Sequence, residues 1–284
     1  MRVVLSNRRR DLAVAAAVAA LGLAAWLLFG PSSGGAGNGT ASAQPTKPLD
    51  HFLCYTGRFK PSTAVGAAIT LRDEFSQQPV AHRVVKPRWF CNPVDKNHPG
   101  VGHFPIIHPN NHLTAYGLNG KVPVKRLRVS NQFQKPPASG APNLVTDPGT
   151  TAHPNHPLIL VPTRKSPHPS PADINHFKCY QTKPVNIDQQ VILQDQWSAQ
   201  LGHPVQTVVQ QAVMICNPAA KTHAGHTFPI LHPTQHLVCY TIRPFRFSPG
   251  NAPVVQLNNQ FGKRQFTPAQ GLLLCAPSRK AIVH

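Results

Sequence analysis

The chain has 284 residues, 41% of them hydrophobic, enough to bury two ordinary cores. Lysine and arginine total 28 against nine aspartate and glutamate, a formal charge of +19. So few carboxylates argue against paired-carboxylate chemistry such as glycoside hydrolysis. Cations scattered without a dense run argue against a dedicated nucleic-acid groove.

Residues 1–29 open with Arg2 and Arg8-Arg9-Arg10, followed by an uncharged run from Leu12 to Phe29. A basic end before an apolar stretch is an export pattern, read as a signal peptide or an N-terminal membrane anchor. Ala41-Ser42-Ala43 supplies an A-x-A cleavage pattern. Residues 30–48 hold almost no large apolar side chain and read as a flexible tether.

Beyond the tether one small unit occurs four times. Its first signature is His51-Phe52-Leu53-Cys54-Tyr55, repeated from His176 to Tyr180 and from His236 to Tyr240, and degraded from His112 to Tyr116. A second signature alternates apolar positions before a polar pair and an aromatic: Asp73-Glu74-Phe75, Asn131-Gln132-Phe133, Asp195-Gln196-Trp197 and Asn259-Gln260-Phe261. The third is Cys91-Asn92-Pro93, Cys216-Asn217-Pro218 and Cys275-Ala276-Pro277, with the apolar run Leu158–Pro162 in the second copy. Alternation of period two means strands with one buried face, about three to each unit.

The expected fold is all-β: two tandem disulfide-braced domains, each a β-sandwich or barrel built as a pseudo-two-fold pair of units. Domain one spans 49–164 and includes a Pro- and Gly-rich insertion at 135–157, a surface loop. A Pro- and Ser-rich linker, 165–174, leads to domain two at 175–284.

Copies one, three and four carry two cysteines each, whereas copy two has Ala115 and Val161 in those places. Partners tend to be lost together, because an orphan thiol is a liability in an oxidising compartment. The expected pairs are Cys54–Cys91, Cys179–Cys216 and Cys239–Cys275. Each closes a loop of about 36 or 37 residues, worth roughly 3 to 4 kcal/mol in the chain-entropy model. No Cys-x-x-Cys pair points to metal-bound thiols instead.

His108-Pro-x-x-His112 and His232-Pro-x-x-His236 are the candidate metal ligands, for zinc or copper. Against this, a histidine holds one position in all four units, as a framework residue would. Asp and Asn interchange at 73, 131, 195 and 259, which suits a side-chain oxygen accepting from backbone amides and does not suit acid–base catalysis. Tyr55, Tyr116, Tyr180 and Tyr240 point away from the cysteine face, either as framework or as outward rings able to stack on a sugar. No Gly-x-Ser-x-Gly, phosphate loop or His-Glu-x-x-His is present, so no catalytic residue or cofactor site is assigned.

Taken together, Asp50–Tyr55, Asp73-Glu74-Phe75, Cys91–Lys96, His236–Tyr240, Asn259–Gly262 and Leu274–Ser278 make the chain resemble a family of exported bacterial proteins with a repeated domain of unknown function. The resemblance covers about residues 49–280 and implies bacterial export. The expected function is an exported, non-catalytic binding or structural module at the cell surface or secreted. Its basic surface suits an anionic cell-envelope polymer or glycan, with no specific nucleic acid and membrane contact only through the N-terminal segment. A histidine-based metal-binding protein and an exported enzyme are the alternatives.

Overall fold

A computed structural model describes residues 48–248 and 250–283. The expected leader, and the tether up to residue 47, lie outside the described residues. Of the rest nearly all is strand: β1 (His51–Lys60), β2 (Ala68–Asp73), β3 (Ser76–His98), β4 (Gly102–Phe104), β5 (His112–Leu118), β6 (Arg126–Ser130), β7 (Leu144–Val145), β8 (Leu158–Ser166), β9 (His176–Gln194), β10 (Val205–His223), β11 (His226–Phe228), β12 (His236–Arg246), β13 (Val255–Asn259) and β14 (Gly262–Val283). One 3-10 turn, Ser198–Leu201, interrupts them. Among the described residues no helix is long and apolar enough to cross a membrane.

Each unit contributes two long strands to a closed antiparallel ring. The order β1-β3-β5-β8-β9-β10-β12-β14 returns to β1, so eight strands form a barrel and each of these strands has a partner on both sides. Strand parity then decides what faces inward. Phe52 and Cys54, Leu113 and Ala115, Phe177 and Cys179, and Leu237 and Cys239 join residues of the other four strands in one buried cluster, which fills the barrel. The opposite parity, including Leu53, Tyr55, Phe90, Tyr180 and Tyr240, faces outward and is covered by a second layer.

That layer is made by the second signatures, which leave the barrel as arms. β2 folds back on the start of β3 and also pairs with residues 220–222 of β10. The end of β9 pairs with residues 95–97 of β3, β6 with the end of β14, and β13 with the end of β8. In every case the arm reaches the unit two places further round the ring.

The three expected disulfides are all present, each between directly opposed residues of one unit's two barrel strands, with Cα atoms 3.9–4.0 Å apart. Such pairs belong to an oxidising compartment. Two expectations need correction. In the second unit the residue opposite Ala115 is Leu160, not Val161. Val161 faces outward into the cluster with Tyr116 and Ile159.

The division into separate domains at 49–164 and 175–284 is also replaced. Both halves share one sheet, with β1 pairing β14 at one seam and β8 pairing β9 at the other. The segment 165–174 connects two adjacent barrel strands, and the arms of each half pair with strands of the other half. The 135–157 insertion is no free loop: it supplies β7, seats Leu144 in the core, and bridges β9 through Thr146 and Thr182.

The register predicts a fourth disulfide. Ala115→Cys with Leu160→Cys should oxidise fully and raise stability by up to about 4 kcal/mol for the loop closed. Ala115→Cys with Val161→Cys should leave two titratable thiols. Thiol titration and denaturant midpoints under non-reducing conditions check both.

Candidate functional site

The repeated polar residues meet one another where the arms end. Tyr55 donates to Asp195 at 2.9 Å, and Tyr180 to both oxygens of Asp73 at 3.0 Å. In the other two units the amide of Asn131 donates to the Tyr240 hydroxyl at 2.7 Å and that of Asn259 to the Tyr116 hydroxyl at 3.0 Å. Beside the tyrosines, the amides of Asn92 and Asn217 donate to Asp195 and Asp73 at 2.8 and 2.9 Å.

The same side-chain oxygens also close the arm turns, as the Asp/Asn interchange implied. Asp195 accepts from the Trp197 backbone N–H, Asn131 from Phe133 and Asn259 from Phe261, at 2.8–2.9 Å. All four tyrosines are buried, so none is an outward sugar-stacking ring. Burial raises each phenol's pKa, and for Tyr55 and Tyr180 the facing carboxylate adds to the effect. Burial likewise raises Asp195, against the pull of its hydrogen bonds.

A second repeated residue was missed in the sequence. Lys96, Lys165, Lys221 and Lys280 each stand five residues after the last cysteine position or Leu160. Each ammonium lies over the arm-tip aromatic of the next unit: Lys96 over Phe133, Lys165 over Trp197, Lys221 over Phe261 and Lys280 over Phe75, at 4.6–5.4 Å from the ring centre. Burial depresses them, with Lys96 and Lys221 down to about 7 and Lys165 to about 8. The repeat was itself the signal, obscured because lysine is ordinarily a surface residue.

The histidines considered as metal ligands do not converge. His108 contacts Asp50 at 3.2 Å, and His232 contacts Asp173 at 2.7 Å. His112 lies between Phe90 and His168, and neither of its ring nitrogens has a partner. His236 is buried, with Nε2 3.8 Å from Glu74. Among the described residues no three His, Cys, Asp or Glu side chains form a metal-binding group. The His-Pro segments are instead tied down by backbone: Ile107 and His108 N–H donate to Asp50, and Leu231 and His232 N–H to Asn175. Burial, and then a neighbouring buried lysine, pulls His51, His112, His176 and His236 down to about 3, so all four imidazoles are neutral at pH 7.

A cleft of about 500 Å³ lies where the fourth unit meets the first. Its walls include His51, Phe104, Gln132, Thr234, His236 and Arg279. The Gln132 amide donates to His51, whose ring lies 5.2 Å from Phe104. The cleft thus offers neutral imidazoles, amides, an aromatic ring and one exposed guanidinium. This set can bind and orient a ligand, and it contains no nucleophile paired with a base.

A model of a repeat of unknown function (DUF7450) matches residues 154–277, from the end of the second unit through nearly all of the fourth. No curated protein matches the chain. No solved structure matches it either.

Two tests follow from this network. Asp195→Ala strips acceptors from Tyr55, Asn92 and the Trp197 N–H, and should cost about 3–9 kcal/mol at roughly 1–3 per orphaned buried donor. Asp195→Asn, which copies the residue at 131 and 259, should cost clearly less in urea titrations of both variants. Secondly, Lys96 and Lys221 titrate near 7 folded against an ordinary 10.5. Between those values only the unfolded chain holds the protons, so stability should rise with pH. Denaturation midpoints at pH 7 and 9.5 should show the rise in the parent chain and a flatter profile in Lys96→Met/Lys221→Met.

Proposed function

We propose that this is an exported, non-catalytic binding or structural module of the cell surface or secreted space, which engages an anionic envelope polymer or glycan through its basic exterior. One observation carries the reading: nearly all the carboxylates are already engaged by groups of the chain itself. Of the eight among the described residues, Asp50, Asp73, Glu74, Asp95, Asp147, Asp173 and Asp195 all engage in hydrogen bonds or ion pairs within the chain. The same residues carry 23 lysines and arginines. The exterior cations therefore have few nearby counter-charges of their own, and a polyanion can supply them.

Arg83, Lys86 and Arg88 illustrate the surface, being exposed together along β3. The framework supports binding over catalysis as well, since the repeated Tyr, Asp and Lys side chains face one another across units and not a substrate. Export agrees with the three disulfides and with the basic-then-apolar N-terminal sequence.

The test is retention on an immobilised anionic envelope polysaccharide. The protein should bind at low ionic strength and elute as salt rises through a few tenths molar, where the screening length falls below about 8 Å. Arg83→Ala/Lys86→Ala/Arg88→Ala should elute earlier. Equal retention on a neutral glycan, or retention indifferent to salt, would sink the proposal.

A further inference from the structure

The fourth arm lies within a run of four paired strands, β8, β13, β14 and β1. Their inward parity is framework, with Phe59, Lys165, Leu257, Arg264 and Phe266 buried. Their outward parity forms cross-strand rows. Arg164 faces Asn258, and Asn258 faces Lys263. In the next row Ser166 faces Gln256, Gln256 faces Gln265, and Gln265 faces Lys60. Beyond them Thr267 faces Arg58. The four cations in these rows are all exposed, and no position in the rows is a carboxylate. Among the described residues none of the four takes part in an ion pair.

Strand geometry sets the spacing of the charges. Arg58 and Lys60, two apart on β1, stand about 7 Å from each other. Lys60 is diagonal to Lys263 at about 7–8 Å. Lys263 and Arg164 flank β13, about 10 Å apart by two strand spacings. The cations therefore make a diagonal track, with the amides of Gln256, Asn258 and Gln265 and the hydroxyls of Ser166 and Thr267 beside it. A depression of about 280 Å³ at one end has Arg164, Ser166, Gln256, Asn258 and Lys263 in its walls. Arg164 Nε donates to the His168 carbonyl at 3.1 Å, which anchors that guanidinium at the rim.

The track is particular to this arm. Asp95, Arg164, Ala220 and Arg279 hold one position in the four units, and the arm residues facing them are Gln194, Asn258, Arg72 and Ser130. These outward positions vary, whereas the lysines that follow them at 96, 165, 221 and 280 recur. At the third arm the same position carries a carboxylate, Asp95, which is bonded to His103 at 2.8 Å.

We propose that the outward face of β8, β13, β14 and β1 is a docking surface for a carboxylate-bearing polysaccharide, an inference that rests on the polyanion reading above and gives it a place and a ligand class. Carboxylates along the chain meet Arg58, Lys60, Lys263 and Arg164. The amides and hydroxyls between the cations can both donate to and accept from sugar hydroxyls. No aromatic side chain stands in the rows to stack on a base, which sets this face apart from a single-stranded nucleic-acid platform.

The probe is fluorescein-labelled hexagalacturonate, titrated by anisotropy into the full-length oxidised protein at about 0.15 M salt, where the screening length is about 8 Å. Saturable binding is expected. Lys60→Ala/Lys263→Ala should weaken it at least about tenfold, whereas Lys121→Ala/Lys183→Ala, which removes the same charge from exposed positions off this face, should change it less than about twofold. Gln256→Ala/Asn258→Ala removes no charge and should weaken it at least about threefold. All six side chains are exposed, so the variants should fold, and unchanged urea midpoints verify that. Equal weakening by the two lysine pairs, or indifference to Gln256→Ala/Asn258→Ala, overturns the docking face and leaves the general polyanion attachment in place. Competition by polyphosphate or single-stranded DNA that exceeds competition by unlabelled hexagalacturonate overturns the ligand class. Absence of saturable binding overturns the proposal too, and the general attachment falls with it only if retention on the immobilised anionic polysaccharide is also lost.

Discussion

Four aromatic rings hold the molecule together. Phe75, Phe133, Trp197 and Phe261 cap the four arms, and each is clamped between two units other than its own. A tyrosine of the unit two places on packs 4.7–5.0 Å from the ring on one side, and the buried lysine of the preceding unit lies over it on another. Every arm tip therefore joins three units at once. A unit of about 40 residues buries too little surface to fold alone, and here its outward face is finished only by chain from elsewhere in the ring. The disulfides do not bridge these joins. All three lie within single units, where they restrict the unfolded chain, so the ring is closed by ladders and clamps alone.

Much of this was legible in the sequence, and the misses have physical reasons. The disulfides could be paired because the repeat supplies four independent copies of one spacing. In the second copy the assignment slipped by one residue, because Leu158-Ile159-Leu160-Val161 is buried on both faces and an unbroken apolar run conceals strand parity. The proline carries the true register, since Leu160-Val161-Pro162 aligns with Cys91-Asn92-Pro93. The two-domain expectation failed because a Pro- and Ser-rich segment marks a surface connection. Composition says nothing about whether the flanking strands pair, and β8 and β9 do.

The histidines show where local spacing misleads. In His108-Pro-x-x-His112 the first ring belongs to a loop anchored on Asp50, and the second begins a barrel strand and lies between Phe90 and His168. Four residues of sequence separate two environments that share no ligand geometry. The lysines were hidden by a general expectation. A cation with no polar partner is not looked for in a core, yet Lys96 is fully buried, 3.9 Å from the centre of the Phe104 ring and near Phe133. An aromatic box offsets part of the desolvation cost, and the rest appears as a lowered pKa.

Repetition also accounts for where binding can arise. A symmetric framework consumes its own polar groups, so the histidine, tyrosine, Asp/Asn and lysine positions that recur in all four units are those least free to meet a ligand. Availability appears where the repeat is broken. The first and third units lead onward through β4 and β11 with their His-Pro segments, and the second through Pro167–Ala172, which occupies its own junction. At the seam of β14 with β1, Thr234, His236 and Arg279 line a cleft. The chain thus combines a closed barrel, whose recurring side chains meet one another across units, with a cleft beside the seam of its first and last units.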